Sequence, residues 1–273
     1  MSPWEAETAE ALERLRRDMS WAARPSEGSL YKYSKISSNF LNSLDHFPPT
    51  SDDVKQWILP LRSQSYKRLC YYILKRLFAA NHWGWDIKRP PERSQASPPT
   101  LDFDTIAYLI QARSLLDERE RAYLALSTTY GLRRFELARL SRENFNHRLV
   151  VATAKRGRVR VHSIPEEIRD IVLGYPFHPV DPSLLSRIFQ RILRDAGLEP
   201  KPGYGWHSIR ACLVSELSLR GLSDSIITRF MGWKVMALRP DVSQMIQVYV
   251  RPPEEAVDEK VFQNHPFLHL WVS

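Results

Sequence analysis

Apolar residues recur every three or four positions through the first part of the chain and predict a succession of helices. Ala6, Ala9, Leu12, Leu15 and Met19 mark the apolar face of a first helix over residues 5–19, with a break at Pro25. Tyr33, Ile36, Phe40 and Leu44 mark a second over Leu30–Leu44, which the HFPPTSDD stretch ends. Thr50 or Ser51 can cap a third helix, whose inward positions are Val54, Trp57 and Ile58. In the next helix Tyr66, Leu69, Tyr72, Ile73, Leu77 and Phe78 are expected to face inward, with Arg68, Lys75 and Arg76 outward. The stretch Lys88–Thr100, KRPPERSQASPPT, cannot continue a helix and suits an extended linker. It separates a helical domain over 1–90 from a second domain over 101–273, with the linker at 88–100.

The second domain opens with a cap at Asp102 or Asp104 and a helix through Ile106, Leu109 and Ile110. Another helix runs from about Glu118 to Thr129, Gly131 breaks it, and Phe135, Leu137 and Leu140 begin a new one, so that Arg133 sits at the corner. The period then changes from helical to alternating. Leu149–Thr153 and Arg158–Ile164 read as two strands of a hairpin turning at Ala154-Lys155-Arg156-Gly157. Pro165 stops the second strand, and helices follow over Glu166–Leu173 and Leu184–Ala196. The fold class expected is therefore mainly α with a small antiparallel β-sheet. After residue 250 a tail over 251–273 combines a short acidic helix with apolar Phe267, Leu268, Leu270 and Trp271, which either fold back on their own domain or dock on a neighbouring protomer.

Charge narrows the partner. The chain has 39 Lys+Arg against 31 Asp+Glu, a net charge of +8, which favours polyanions, nucleic acid first and an acidic membrane surface second. From Val54 to Arg93 the bases Lys55, Arg62, Lys67, Arg68, Lys75, Arg76, Lys88, Arg89 and Arg93 face only Asp86 and Glu92, the balance of a helix face that lies along a DNA backbone. Lys67, Arg68, Lys75 and Arg76 here, with Arg156 and Arg158 in the hairpin, are the expected DNA-binding residues. Cys70 and Cys212 each stand inside an apolar pattern, as reduced core residues do, so neither a disulfide framework nor a metal site is expected. Without a secretory pattern or an apolar run long enough to span a membrane, a soluble, cytoplasmic protein is expected.

The chemistry concentrates in Gly205–Tyr249. His207 and Arg210 are spaced so that, at a helix start, an imidazole and a guanidinium project from one face and can converge on one phosphate. Tyr249 can supply an oxygen nucleophile, but a phenol needs cations and a base close by. Arg133, at a helix start that favours anions, and Lys155, on a hairpin turn, are placed to complete such a site.

In that order, Arg133 in GLRRFEL, Lys155, His207 and Arg210 in HSIR, Trp233 in MGWK and Tyr249 in IQVY resemble the tyrosine recombinases, the phage-integrase family. The specific motifs lie within 127–250, and the helical first domain is similar to the family's core-binding domain in composition and order. Three features depart from the family pattern: Trp233 stands where His is commoner, the stretch from Trp233 to Tyr249 is longer than usual, and the glycine usual before the hairpin lysine is missing.

The resemblance implies a site-specific recombinase of the integrase and excisionase type, acting on a mobile element without metal or cofactor. Tyr249 would form a 3′-phosphotyrosyl intermediate, with Arg133 and Arg210 on the nonbridging oxygens. His207 would exchange the phenol proton, Lys155 would act as acid for the leaving 5′-oxygen, and Trp233 would donate one N–H or pack. It further implies double-stranded DNA with specific target sites as partner and a homo-tetramer, a dimer of dimers, on DNA, monomeric or weakly associated without it, in a prokaryotic cell or virus-infected host. A chromosome-dimer resolvase, a type IB topoisomerase-like enzyme and a catalytically inactive DNA-binding accessory protein are the alternatives.

Overall fold

The computed structural model describes residues 4–23, 27–91, 100–152, 159–233 and 253–272. The chain divides into two compact units, Met1–Ser97 and Pro98–Ser273.

In the first unit α1 (Glu5–Ala23), α2 (Glu27–Leu41), α3 (Ser51–Ile58) and α4 (Gln64–Ala80) enclose one apolar core. The buried face of α1 is Thr8, Ala11, Leu15 and Met19, whereas Ala6 and Ala9 are exposed. Asn81, buried just after α4, lies on this side of α1 and donates through Nδ2 to the carbonyls of Ala11 (3.1 Å) and Leu77 (2.9 Å), adding to the apolar burial of Ala11, Leu15 and Met19. Thr50 caps α3 in a reciprocal box: the Thr50 N–H donates to Asp53 Oδ2 at 2.6 Å and the Asp53 N–H to Thr50 Oγ1 at 3.4 Å.

The face of α4 differs from expectation. Cys70, Tyr71, Ile73, Leu74, Leu77 and Phe78 are buried, whereas Tyr66, Leu69 and Tyr72 remain 41, 38 and 43% exposed. Trp83 and Trp85, in the segment after α4, pack edge-on against Phe78, and Trp85 also against Tyr71, drawing that side of the helix into the core.

In the second unit Asp102 caps α5 (Phe103–Gln111), accepting from the Thr105 N–H at 2.8 Å. Its axis is α6 (Glu118–Tyr130), which begins at an Asp117–Glu120 capping box and is buried at every residue from Ala122 to Tyr130. Around it pack α8 (Glu166–Gly174), α9 (Pro182–Asp195) and α10 (Trp206–Leu219). Only one turn, α7 (Arg134–Leu137), forms where a helix through Leu140 was expected.

The sheet is antiparallel with order β1 (Phe145–Asn146), β2 (Arg148–Ala152), β3 (Val159–Ser163). β1 is too short to carry a period, and its tight turn into β2 uses His147 at φ +56°. Alternation along β3 buries Arg160 opposite Val151 and His162 opposite Leu149. Finally α11 (Asp224–Phe230) and α12 (Glu254–Gln263) pack together, and α12 lies against β3.

The apolar tail folds back on its own unit. Phe267, Leu268 and Trp271 are buried in a 3₁₀ turn against α5 and α8, Phe267 stacking on Phe103 at 5.4 Å. Among the described residues no helix is long and apolar enough to cross a membrane.

Candidate functional site

The site is built where α6 ends. Gly131 adopts φ +57°, and a Cβ there would lie 2.7 Å from Met231 Cε and 3.3 Å from Leu213 Cδ2, so both backbone and space demand glycine. The chain turns through it to place Arg133 at the N-cap of α7. Arg133 is partly exposed and is held by Glu136, whose Oε1 accepts from Arg133 Nη1 and whose Oε2 accepts from the Arg133 backbone N–H, both at 2.8 Å.

Arg210 reaches the same corner from the second turn of α10. It is only 2% exposed, donating through Nη1 to the Gly131 carbonyl at 2.5 Å and through Nη2 to the Met231 carbonyl at 3.0 Å. The Trp233 ring lies over its guanidinium, 5.3 Å from the centroid. Burial, then the Arg133 and Arg160 guanidiniums, push the Arg210 proton affinity down to about 9, so the group keeps its charge at neutral pH. Among the described residues, two of its five N–H donors are committed to carbonyls.

His207 stands one turn earlier on α10, exposed to solvent. Arg210, by contrast, points into the protein, so the two groups flank the corner rather than sharing one exposed face. With Arg133, His207 lines a groove of about 450 Å³ whose walls include Phe135, Ser186, Gln190 and Tyr204. Arg134, the neighbour of Arg133, is exposed and donates to Ser186 Oγ at 2.8 Å.

Arg160 and Glu136, the latter within the GLRRFEL motif, are further residues of this corner that no sequence signal assigned a role. Arg160 donates through Nη2 to Glu136 Oε2 at 3.0 Å and through Nη1 to the Phe230 carbonyl at 3.1 Å. Burial pushes the Glu136 carboxyl up, but Arg160 and the hydrogen bonds from Arg133 outweigh it and hold the group below its usual range. Burial pulls the Arg160 guanidinium down, partly offset by Glu136. Strand alternation is the signal that could have found Arg160, once β3 was known to bury the face it shares with His162.

Of the other expected site residues, Lys155, Arg156, Arg158 and Tyr249 lie outside the described residues. The described residues that flank them meet, however. Val159 and Arg160 at the start of β3, Trp233 before the Tyr249 stretch and Glu254 after it line one pocket of about 80 Å³. In the first unit Lys75 is exposed, Lys67 is half-buried with its ammonium on the Leu59 carbonyl at 2.8 Å, and Arg68 is half-buried. Arg76 is ion-paired with Asp18 at 2.7 Å. Trp206 and His265 are packing residues: the Trp206 Nε1–H donates to the Leu185 carbonyl at 2.8 Å, and His265 is buried under the C-terminal turn.

No family model matches the chain, and neither does any curated protein. Solved structures do. Lambda integrase residues 75–356 bound to DNA is similar with a TM-score of 0.65 at 16% identity, over 83% of this chain and 91% of that one. The Tn1549 transposon integrase, in complex with circular intermediate DNA, is similar with a TM-score of 0.58 at 13% identity, over 93% and 98%. The integrase of mycobacterium phage Brujita is similar with a TM-score of 0.51 at 14% identity, over 98% of each chain. The chain thus has the fold of the tyrosine recombinases and integrases, mainly helical with a small antiparallel sheet.

Proposed function

We propose that this protein is a site-specific DNA recombinase that cleaves and rejoins double-stranded DNA through a 3′-phosphotyrosyl intermediate. The observation that carries the assignment is the convergence of Arg133 and Arg210 on one corner, their guanidiniums fixed by Glu136 and by the Gly131 and Met231 carbonyls, with His207 on the adjoining groove.

Donors held rigidly before substrate arrives stabilise charge that develops on a phosphorane without reorganising at the moment of reaction. Tyr249 Oη attacks phosphorus, the bond to the 5′-oxygen breaks, and the protein keeps the 3′-phosphate. His207 takes the phenol proton, and Lys155 protonates the departing 5′-oxygen. Attack by a second 5′-hydroxyl reverses the step, because the phosphodiester energy is retained in the phosphotyrosine. That residues flanking Lys155 and Tyr249 line one pocket beside Trp233 supports their belonging to this site.

Lys67, Arg68, Lys75 and Arg76 in the helical unit, with Arg156 and Arg158, are proposed to contact DNA phosphates, the exposed Lys75 most directly. Lambda integrase is known as a dimer on a COC′ core site and as a tetramer on a Holliday junction. A dimer of dimers on DNA is proposed here also.

The test incubates the protein, in the presence of EDTA, with a pool of nicked duplexes of randomised core sequence and looks for an adduct that survives denaturation. Wild type is expected to form it, while Tyr249→Phe binds the same pool and forms none. No adduct from wild-type protein that binds the pool would mark a DNA-binding accessory protein. Relaxation of supercoiled DNA without any defined two-armed site among the captured duplexes would mark a topoisomerase-like enzyme.

A further inference from the structure

Arg160 is an expensive residue by ordinary stability criteria. It is 4% exposed, its Nε is buried without a hydrogen-bond partner among the described residues, and its charge is balanced by a carboxylate already serving Arg133. An apolar pair of similar volume in place of such a buried ion pair is commonly neutral or stabilising, and an unpartnered buried donor is a cost. Fold stability is therefore a poor account of this side chain, and its connections offer a better one.

We propose that Arg160 is a positioning residue for phosphoryl transfer: from β3 it fixes Arg133 through Glu136 and, through the Phe230 carbonyl, the turn that lays Trp233 on Arg210. The inference rests on the recombinase function proposed above. Its geometry joins three segments far apart in sequence. Glu136 Oε2 receives both the Arg133 backbone N–H and Arg160 Nη2, so Arg160 fixes the carboxylate whose other oxygen holds the Arg133 guanidinium. The other arm of the Arg160 fork accepts no slack either, since Nη1 is bound to the last residue of α11.

The stem of Arg160 packs on the same turn. A Cβ on Gly232 would fall 2.4 Å from Arg160 Cδ, and Gly232 adopts φ +64°, so the backbone just before Trp233 runs directly over the Arg160 side chain. Among the described residues, Arg133, Arg160 and Arg210 act on one another across this corner, with Glu136 as the carboxylate shared by Arg133 and Arg160 and Asp258 as a further carboxylate acting on Arg160. A single residue thus ties β3 to both phosphate-binding arginines.

Arg160→Lys, Arg160→Gln and wild type are compared for duplex affinity, single-turnover adduct formation at saturating duplex, and melting temperature. Lys retains the charge but cannot span Glu136 and the Phe230 carbonyl with a planar fork. Arg160→Lys is expected to stay folded and bind duplex within about threefold of wild type, yet form adduct about 100-fold more slowly, the size of effect that an ångström-scale misplacement produces. In Arg160→Ala, added methylguanidinium is expected to restore part of the adduct rate without changing that of wild type. A merely structural role would give losses of binding and cleavage in proportion to the unfolded fraction, and that result, or a folded Arg160→Lys cleaving at the wild-type rate, overturns the proposal. If Arg160→Ala does not fold, the Lys and Gln variants alone decide it by the same comparison. Wild type lacking a Tyr249-dependent adduct refutes the recombinase function itself, an outcome separate from any result on Arg160.

Discussion

Protonation of His265 should release the C-terminal turn, and the size of the effect follows from its surroundings. His265 is 5% exposed, between the end of α12 and the buried Phe267 and Leu268. Its Nε2 lies 3.0 Å from the Thr129 carbonyl and donates to it, while Nδ1 accepts the N–H groups of Phe267 at 3.1 Å and Leu268 at 3.2 Å. That pattern requires the neutral imidazole, for a proton on Nδ1 would face two donors and break both bonds. Burial is the main cause that pushes the group down to about 3; Arg220 and His269 add to it, and the bond to Thr129 opposes it.

Between about 3 and the unfolded value near ~6.5 the unfolded chain binds a proton that the folded chain does not, so stability rises with pH across that window. The contribution is complete above the unfolded value and is lost as pH falls. At pH 5 the group lies about 1.5 units below that value, and at ~1.4 kcal/mol per unit the loss is about 2 kcal/mol. Urea unfolding of wild type and His265→Asn at pH 7.5 and pH 5, followed by circular dichroism, measures it in the transition that the substitution moves. The stability difference between the two proteins is expected to shrink by about 2 kcal/mol at the lower pH. His162, also buried and pushed down by desolvation, adds a slope of the same sign to both proteins and cancels in the difference. Parallel stability curves would refute the buried neutral histidine.

Gly131→Ala combines a strained φ with a 2.7 Å approach to Met231, and moves the carbonyl that holds Arg210. A loss of about 2 kcal/mol is expected in urea unfolding, with a further drop in adduct rate at saturating duplex. Arg191 pairs with Glu120, which is 1% exposed, and with Asp117 at 2.6 Å. Arg191→Gln strands a buried carboxylate. Because Arg191 itself is 39% exposed and water can enter, a loss of about 2–3 kcal/mol, toward the low end for a broken buried pair, is expected from thermal or urea melts. A change below about 0.5 kcal/mol would mean that the pair behaves as a surface one.

Signals in the chain are legible where their causes are local. Thr50 caps α3 and Asp102 caps α5 because a hydroxyl or carboxylate three residues ahead of an N–H needs only its own turn. Gly131 ends α6 for the same kind of reason, as its left-handed φ is a property of one residue. The orientation of α4 is not legible in the sequence because its apolar residues span more than one face. Tyr66, Leu69 and Tyr72 satisfy helical spacing as well as Cys70, Tyr71 and Leu74 do, and the choice between them belongs to Trp83 and Trp85. The chemistry was half legible. Arg133, His207 and Arg210 stand in recognisable motifs, but Arg160 looks like one more charge in a basic strand until β3 turns it inward.

By itself, then, the sequence determined the helical succession, the hairpin, the helix caps and the residue types of a phosphate site, since these follow from the periodicity and stereochemistry of neighbouring residues. Tertiary structure alone decided which face of α1 and of α4 is buried and that the tail folds onto α5 and α8. It also decided that Arg210 is buried while His207 remains exposed, and that Glu136 is shared by Arg133 and Arg160. Those outcomes depend on contacts between segments far apart in the chain, where burial, not spacing, sets whether a charged side chain meets solvent, a carbonyl or another charge.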